Sequence, residues 1–246
     1  MGLKEDIEAE VRGVIATTWS PRNSVTVPTP EDVALGSGAV KIDAAMLYAD
    51  LAESTRIAMS LPAWLAAEIA KAFLATSCRI IRHHGGHIRS FDGDRVMGVF
   101  VGDDRCVRAA KASLQIYWVV VHVLRPNFNR YSVFSDSGIT IRHGVGIDTG
   151  QVFVARTGIR RNNDLVWVGR SPNIAAKLAS VRDGYYATYV TEDVFMQLDD
   201  STYYKEGNSG LGSQIMWEQW RWPDAPSGIN ALIYRSSWTW VPPSGA

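Results

Sequence analysis

The chain has 246 residues and a mass of 27.1 kDa, with 46% hydrophobic and 20% charged residues, the composition of a globular protein. Folding a chain of this mass buries roughly 70% of its unfolded surface, so a sizeable core is available. Lys and Arg together number 25, as do Asp and Glu. A net charge of zero excludes an overall field that attracts nucleic acid or an anionic membrane, so an anionic ligand must be held by local chemistry.

Cysteine usage and the N-terminus indicate the compartment. Cys78 and Cys106 each lie in a segment with the pattern of an apolar helix, which favours packed thiols over a disulfide framework. The N-terminal segment MGLKEDIEAEVRG is acidic and amphipathic, unlike a signal peptide, and the longest apolar runs are too short to span a bilayer. We therefore expect a cytoplasmic protein with no direct membrane insertion.

Apolar periodicity and turn residues predict the elements in chain order. A helix covers residues 3–17 and an arm with prolines and glycines covers 19–38, so we expect the core to start near Val40. A strand, a long helix, a hairpin and a second helix follow at residues 42–49, 61–84, 87–101 and 103–124. Three strands come next, at 139–147, 151–155 and 165–168. A helix at 172–181, a short strand at 188–190 and a hairpin at 216–240 follow them. This alternation predicts an α+β (α/β sandwich) fold with one mixed sheet.

Two carboxylates are the first candidates for chemistry. Asp50 ends the first core strand and Asp94 lies in the turn of the following hairpin, so both can project from one edge of a sheet. Paired carboxylates form a hard-cation site for Mg²⁺ or Mn²⁺, through which a chain without net charge can hold a polyphosphate. Asp is also common at strand ends and in turns for conformational reasons, and for this pair alone that role is the more frequent one.

Four segments, taken together, carry more information than the pair. They are LYADLAEST (47–55), GGHIRSFDGDRVMGVF (85–100), GVGIDTGQVFVARTG (144–158) and VWVGRSPNIAAKLAS (166–180). In this order they resemble the first metal segment, the second metal segment, the central strand pair and the transition-state helix of the class III nucleotidyl cyclases. That family contains the adenylate and guanylate cyclases, and the resemblance covers over half of the chain.

The resemblance implies a ferredoxin-type mixed sheet with flanking helices and a two-metal cyclisation. Asp50, Asp94 and the backbone carbonyl of Leu51 are implied to hold two Mn²⁺ or Mg²⁺ ions. One ion lowers the pKa of the ribose 3′-hydroxyl and the other neutralises the triphosphate. The 3′-oxygen then attacks the α-phosphorus and pyrophosphate leaves.

Further site residues come from two helices. Ala52, Ser54 and Thr55 stand where a helix begins after the first strand, and free N–H groups there can hold phosphate oxygens. Asn173 and Lys177, one helical turn apart, match the positions that orient the ribose and stabilise the pentavalent phosphorus in the family. Without the other motifs they indicate only a solvated helix face. Because the family supplies the aspartates and the Asn-Lys pair from two subunits, the resemblance implies a homodimer with shared sites.

The chain departs from the family at the positions that recognise a purine base. Ser90 and Val166 stand at the two positions that usually carry the charged residues that bind the purine base. A site that lacks hydrogen-bonding groups matched to the edge of a base loses on the order of 10⁴-fold in discrimination for that base. We therefore do not expect the usual selection of ATP. Further candidates near the base are Tyr48, Phe91, Asp92 and Arg95.

Two more departures concern arginines. Lys177 stands where the family usually has Arg, which keeps the charge and loses the bidentate fork. Gly144 stands where an Arg often precedes the central turn, and Arg142, two residues earlier, is the candidate replacement.

These departures, the compact domain and the Pro-rich arm most resemble the pyrimidine cyclases of bacterial antiphage (Pycsar) systems. The resemblance implies conversion of UTP to 3′,5′-cyclic UMP and activation of a cognate effector by the product. Formation of cyclic CMP from CTP is the runner-up, because Ser90 can donate or accept a hydrogen bond. An adenylate cyclase with an atypical base pocket, a catalytically dead nucleotide sensor and an RNA-binding module are the remaining alternatives.

The same comparison implies how the chain is divided. An N-terminal helix and arm cover 1–39, a catalytic domain covers 40–200, and a Trp-rich hairpin extension over 201–246 packs on that domain.

Overall fold

The computed structural model describes residues 2–159, 162–205 and 213–243. The strands in these ranges are β1 (Ser20–Asn23), β2 (Gly38–Leu51), β3 (His87–Asp92), β4 (Arg95–Phe100), β5 (His143–Ile159), β6 (Asn162–Val168), β7 (Thr188–Thr191), β8 (Tyr204–Lys205), β9 (Gln214–Ile215), β10 (Glu218–Arg221) and β11 (Leu232–Ser236). The α-helices are α1 (Leu3–Ile15), α2 (Ser54–Ser60), α3 (Ala63–His83), α4 (Arg105–Val119), α5 (Arg125–Phe128), α6 (Ser132–Ser135), α7 (Arg170–Ala179), α8 (Glu192–Phe195) and α9 (Asp200–Tyr203). A short 3₁₀ helix covers Pro30–Asp32, and a π-helical turn, Val120–Leu124, joins α4 to α5.

One mixed sheet organises the fold, as the sequence predicts. Its strand order is β10-β11-β7-β5-β2-β4-β3, with β1 added beside β2 and β6 beside β5. β7 runs parallel to β5 and β1 parallel to β2, whereas the other neighbours are antiparallel. The predicted hairpins at β3–β4 and β10–β11 are confirmed, and so are the long helices α3 and α4. Cys78 and Cys106 are free thiols, also as predicted.

Alternation along β2 gives the sheet two different faces. One set of side chains packs in the largest apolar cluster, together with residues of α3 and α4: Ala45, Leu47, Ala49 and Leu51. The alternate set lies in a second cluster on the opposite face: Val40, Ile42, Ala44 and Met46. Because the period is two residues, Tyr48 and Asp50 continue the second set and share its face.

Helix α7 lies on this second face, directly over two glycines of β5. A Cβ atom at Gly144 would overlap the carbonyl oxygen of Ala179, and one at Gly146 would overlap that of Ala175. The helix backbone therefore approaches the strand more closely than any side chain would permit. Leu178 of α7 is in turn buried in a cluster with residues of the C-terminal strands.

The N-terminal arm contributes more than the sequence predicts. Its residues form β1, and Val27 and Val33 are buried in the second apolar cluster. The core therefore starts before Val40, because a segment without periodic apolar spacing can still add to a sheet edge and cover a face. The predicted N-terminal helix is confirmed as α1, which has no buried residue.

The central strands also differ from the expectation. The separate strands predicted at 139–147 and 151–155 are wrong, since β5 is one strand that pairs with β2 from His143 to Ala155. The buried Asp148 interrupts the apolar pattern within it. Arg170 Nη2 donates to this carboxylate at 2.9 Å and Thr191 Oγ1 at 2.6 Å, which offsets the cost of burial. In the described part of the chain, no helix is both long and apolar enough to cross a membrane.

His143, at the start of β5, is buried, with 4% of its surface exposed. Its ring lies 5.9 Å from that of Phe73 and 5.5 Å from that of Tyr117, and its Nε2 has no hydrogen-bond partner among the described residues. Burial lowers the pKa of His143 to about 3. As the pH falls, the unfolded chain binds the extra proton first, so the free energy of unfolding falls between about pH 6.5 and pH 3.

Replacing His143 with Phe should therefore make the fold less sensitive to acid. Between pH 7 and pH 5.5 this group removes about 1 kcal/mol from the free energy of unfolding of the wild type, and His143→Phe avoids that loss. Urea unfolding at the two pH values measures it, with the exposed His83→Asn as the matched control. An equal loss in wild type and His143→Phe would show that the histidine does not cause it.

Candidate active site

The candidate site is centred on Asp50, which lies at the end of β2 and has 8% of its surface exposed. Arg95 Nε donates to its Oδ1 at 3.2 Å, and Arg182 Nη2 donates to its Oδ2 at 2.8 Å. Arg95 is the ladder neighbour of Asp50 on β4, whereas Arg182 lies three residues past the end of α7. Two guanidinium groups thus compensate one nearly buried carboxylate.

The second predicted metal segment adjoins the first. Asp94 follows Gly93, whose φ of 60° fits the tight hairpin turn predicted from Asp-Gly. The carbonyl of Asp94 accepts a hydrogen bond from the Leu51 N–H at 3.4 Å. Asp94 and Leu51, together with Ser54 and Thr55 of α2, line a pocket of about 490 Å³.

The chemistry of these donors fits a hard divalent cation. The carboxylates of Asp50 and Asp94 and the carbonyl of Leu51 are oxygen donors on two adjoining segments. The Asp50 carboxylate already binds positive charge, in the form of two arginines. Within residues 2–159, 162–205 and 213–243, three or more His, Cys, Asp or Glu side chains do not cluster into a metal site. A divalent ion held here therefore needs backbone or substrate oxygens as well.

Ladder pairing aligns the residues predicted to lie near the base. Tyr48 on β2 pairs with Met97 on β4, which pairs with Ser90 on β3. Directly opposite residues share a face, so this row lies on the face of Asp50, beside the row that contains Arg95. Burial raises the pKa of Tyr48, so its hydroxyl keeps its proton at neutral pH and can donate a hydrogen bond.

The exposed face of α7 carries Asn173 and Lys177. Asn173 Nδ2 donates to the Gly169 carbonyl at 3.0 Å. Ser180, just past the helix, accepts from Arg95 Nη2 at 3.1 Å, which ties the end of α7 to the Asp50 cluster. Lys177 lies within one turn of that end, whereas Asn173 lies about 10 Å from Ser180 along the helix axis.

A second pocket, of about 590 Å³, opens beside the end of α7. Its lining includes three cations and two aromatic side chains: Arg95, Lys177, Arg182, Trp220 and Trp222. The sequence prediction missed Arg182 and this aromatic wall. No motif marks Arg182, and its only signal was a positive charge shortly after the helix that carries Lys177.

Three other predicted residues lie outside these rows. The guanidinium of Arg142 donates to the carbonyl of Gly184. Val166 is 41% exposed on β6. The N–H of Ala52 donates to the Arg142 carbonyl at 2.9 Å, and α2 begins only at Ser54. The prediction that the N–H of Ala52 is free for a phosphate is therefore wrong.

Known proteins resemble this chain over nearly its full length. No protein-family model matches it. A uridylate cyclase from Rhodovulum sp. (strain MB263) is 44% identical over 97% of this chain and 97% of its own length. A uridylate cyclase from Xanthomonas perforans is 39% identical over 98% and 99%, respectively. Among solved structures, the adenylyl cyclase CyaB from P. aeruginosa matches 80% of this chain and 95% of its own with a TM-score of 0.64, at 20% sequence identity, which supports the fold.

Gly146→Ala should displace α7 and weaken the fold. The added Cβ would overlap the carbonyl oxygen of Ala175 and the backbone nitrogen of Ala179, neither of which can rotate away. We expect a loss of about 3 kcal/mol in the free energy of unfolding, measured by urea denaturation. Gly13→Ala in exposed α1 is the control, because nothing lies within 4 Å of its added Cβ. Equal stability of the two variants would contradict the close approach of helix and strand.

Proposed function

Because the chain belongs to the uridylate cyclase family, with the fold of class III nucleotidyl cyclases, we propose that it converts UTP to 3′,5′-cyclic UMP and pyrophosphate. The observation that carries this proposal is the match to two uridylate cyclases over nearly the whole length of each chain. The chain retains both aspartates of the implied metal site, on segments that touch each other.

We propose that Asp50, Asp94 and the Leu51 carbonyl hold two divalent ions, Mn²⁺ or Mg²⁺. Bound there, such ions supply the charge that neutralises the triphosphate and lowers the pKa of the ribose 3′-hydroxyl. Ser54 and Thr55 line the same pocket as Asp94 and offer hydroxyl groups to phosphate oxygens. Asn173 orients the ribose, and Lys177 places a positive charge beside the phosphorus as pyrophosphate leaves.

The base is proposed to lie over the row formed by Tyr48 and Ser90. Both side chains are neutral and can donate a hydrogen bond, which suits the carbonyl at position 4 of uracil. Arg95 lies in the adjacent row and remains a candidate for the base edge. Val166 offers no group for a purine edge, and Arg142 remains a candidate only if it leaves the Gly184 carbonyl. Because Ser90 also accepts hydrogen bonds, CTP is the runner-up substrate.

A homodimer with shared sites accounts for the distance between Asn173 and the Asp50 cluster. Asn173 lies within α7, about 10 Å back along the axis from the helix end that touches the Asp50 cluster, and its exposed side chain is accessible to a second subunit. We propose that each site takes Asp50 and Asp94 from one subunit and Asn173 and Lys177 from the other.

We propose that this protein is a cytoplasmic enzyme of antiphage defence and that its cyclic nucleotide product activates a cognate effector. The proposed division remains a helix and arm over 1–39, a catalytic domain over 40–200 and an extension over 201–246.

A nucleotide sensor without turnover is the second candidate. It is favoured by one observation, that arginines hold both oxygens of Asp50.

Incubation of the purified protein with each of UTP, CTP, ATP and GTP in the presence of Mn²⁺ tests the activity. We expect cyclic UMP as the main product by liquid chromatography and mass spectrometry, because the base row carries no charged group to read a purine. Mainly cyclic CMP would favour the runner-up, and mainly cyclic AMP would overturn the pyrimidine specificity. No product from any nucleotide would favour the sensor.

Asp50→Ala should lower the rate of product formation by at least about 100-fold, because it removes a carboxylate from the proposed two-metal site. Asp136→Ala serves as the control and should keep the wild-type rate, because it removes an exposed carboxylate that is 86 residues away from Asp50 in the sequence. Unchanged turnover by Asp50→Ala would contradict the metal mechanism.

Mixing two inactive variants tests the shared sites. Asp50→Ala and Lys177→Ala homodimers each lack a group in both sites, whereas a mixed dimer regains one intact site. Coexpression should restore roughly a quarter of the wild-type rate, since half of randomly assembled dimers are mixed. Recovery is measured as cyclic nucleotide formed per unit of total protein. If none occurs although the mixed dimers can be isolated, both groups act within one subunit.

A further inference from the structure

Arg182 connects the Asp50 carboxylate to the end of α7. Its Nη2 donates to Asp50 Oδ2 at 2.8 Å, while its Nη1 donates to the carbonyls of Ala179 at 2.5 Å and Val181 at 2.8 Å. One guanidinium therefore caps the helix carbonyls and occupies one oxygen of the carboxylate that the proposed metal site needs. A divalent ion at that oxygen has to displace it.

The released guanidinium has a pocket of matching chemistry beside it. The 590 Å³ pocket is lined by Arg182 and Arg95, and its volume lies within the range of small-ligand sites. Two acidic residues also line it. Asp183 is already paired with Arg235, and Asp224 is exposed to solvent. Once a divalent ion takes the place of Arg182 at Asp50 Oδ2, Arg182 loses its counterion, and the pocket gains an unpaired positive charge.

We propose that Arg182 exchanges partners during the reaction, from Asp50 in the substrate-free protein to the polyphosphate in the loaded one. The proposal rests on the proposed function and assigns this pocket as the subsite for the leaving pyrophosphate. A guanidinium binds phosphate through two parallel hydrogen bonds, so the exchange replaces one charge-assisted pair by another.

The position of the two arginines explains why Arg182 is the one that moves. Arg95 belongs to β4, lies between two paired strands and also donates to Ser180. Arg182 lies three residues past the end of α7, and its other contacts are to the backbone carbonyls of Ala179 and Val181, which remain in place when the side chain turns. It can therefore leave Asp50 while Arg95 stays bound to both Asp50 and Ser180.

The exchange couples two binding events. A divalent ion binding alone has to break the Asp50–Arg182 pair, whereas an ion arriving with polyphosphate gives the arginine a new partner. Removing the guanidinium therefore has effects of opposite sign, with metal binding alone strengthened and polyphosphate binding weakened. A residue that only positions Asp50 would not produce this combination.

Arg182→Gln tests the exchange, because the amide can still donate to the helix carbonyls. Electron paramagnetic resonance of free Mn²⁺ should show metal binding about tenfold tighter than in the wild type when no nucleotide is present. Calorimetry with inorganic pyrophosphate at saturating Mn²⁺ should show affinity about tenfold weaker. Arg12→Gln, which loses one positive charge on exposed α1, should change neither value.

Arg182→Lys is the second variant and guards against a folding defect in the first. Its retained charge should keep pyrophosphate affinity within about threefold of the wild type. Unchanged or weaker Mn²⁺ binding by Arg182→Gln would overturn the exchange, and unchanged pyrophosphate binding would overturn the subsite. Both readouts are independent of turnover. Failure of the wild type to make cyclic UMP would thus contradict the proposed function without altering either binding result.

Discussion

The nearly buried carboxylate of Asp50 is the constraint on which the site depends. A charge so far removed from water is tolerated only with compensating partners, and two guanidinium groups provide them. One comes from β4 and the other from the segment after α7, so three elements meet at one point. For α7 to end there, it must lie close against β5, which explains the need for glycine at positions 144 and 146.

A second buried carboxylate holds the opposite end of the same helix. Asp148 on β5 is completely buried, and Arg170, the first residue of α7, bonds to both of its oxygens. Burial raises the pKa of Asp148, while Thr191 and Arg170 oppose that shift. Helix α7 is therefore fastened to the sheet by a carboxylate near each end. Its outer face, with the exposed side chains of Asn173 and Lys177, is thereby held in a fixed orientation.

Much of the fold could be predicted because its signals are local. A run of apolar residues marked β2, and Asp-Gly marked the hairpin that brings Asp94 beside Leu51. The prediction failed where tertiary contacts overrode the local pattern. β5 continues through Asp148 because Arg170 and Thr191 compensate the charge, and the arm around Val27 joins the core without any periodic spacing.

The sequence by itself determined the order of the motifs, the strand that ends at Asp50 and the turn that holds Asp94, since each depends on neighbours within a few residues. Only the tertiary structure decided what compensates Asp50. Its partners lie 45 and 132 residues away along the chain, and no spacing rule connects them. The folded sheet and the close approach of α7 bring these charges together, because a carboxylate removed from water must be paired with whatever cation the fold places within reach.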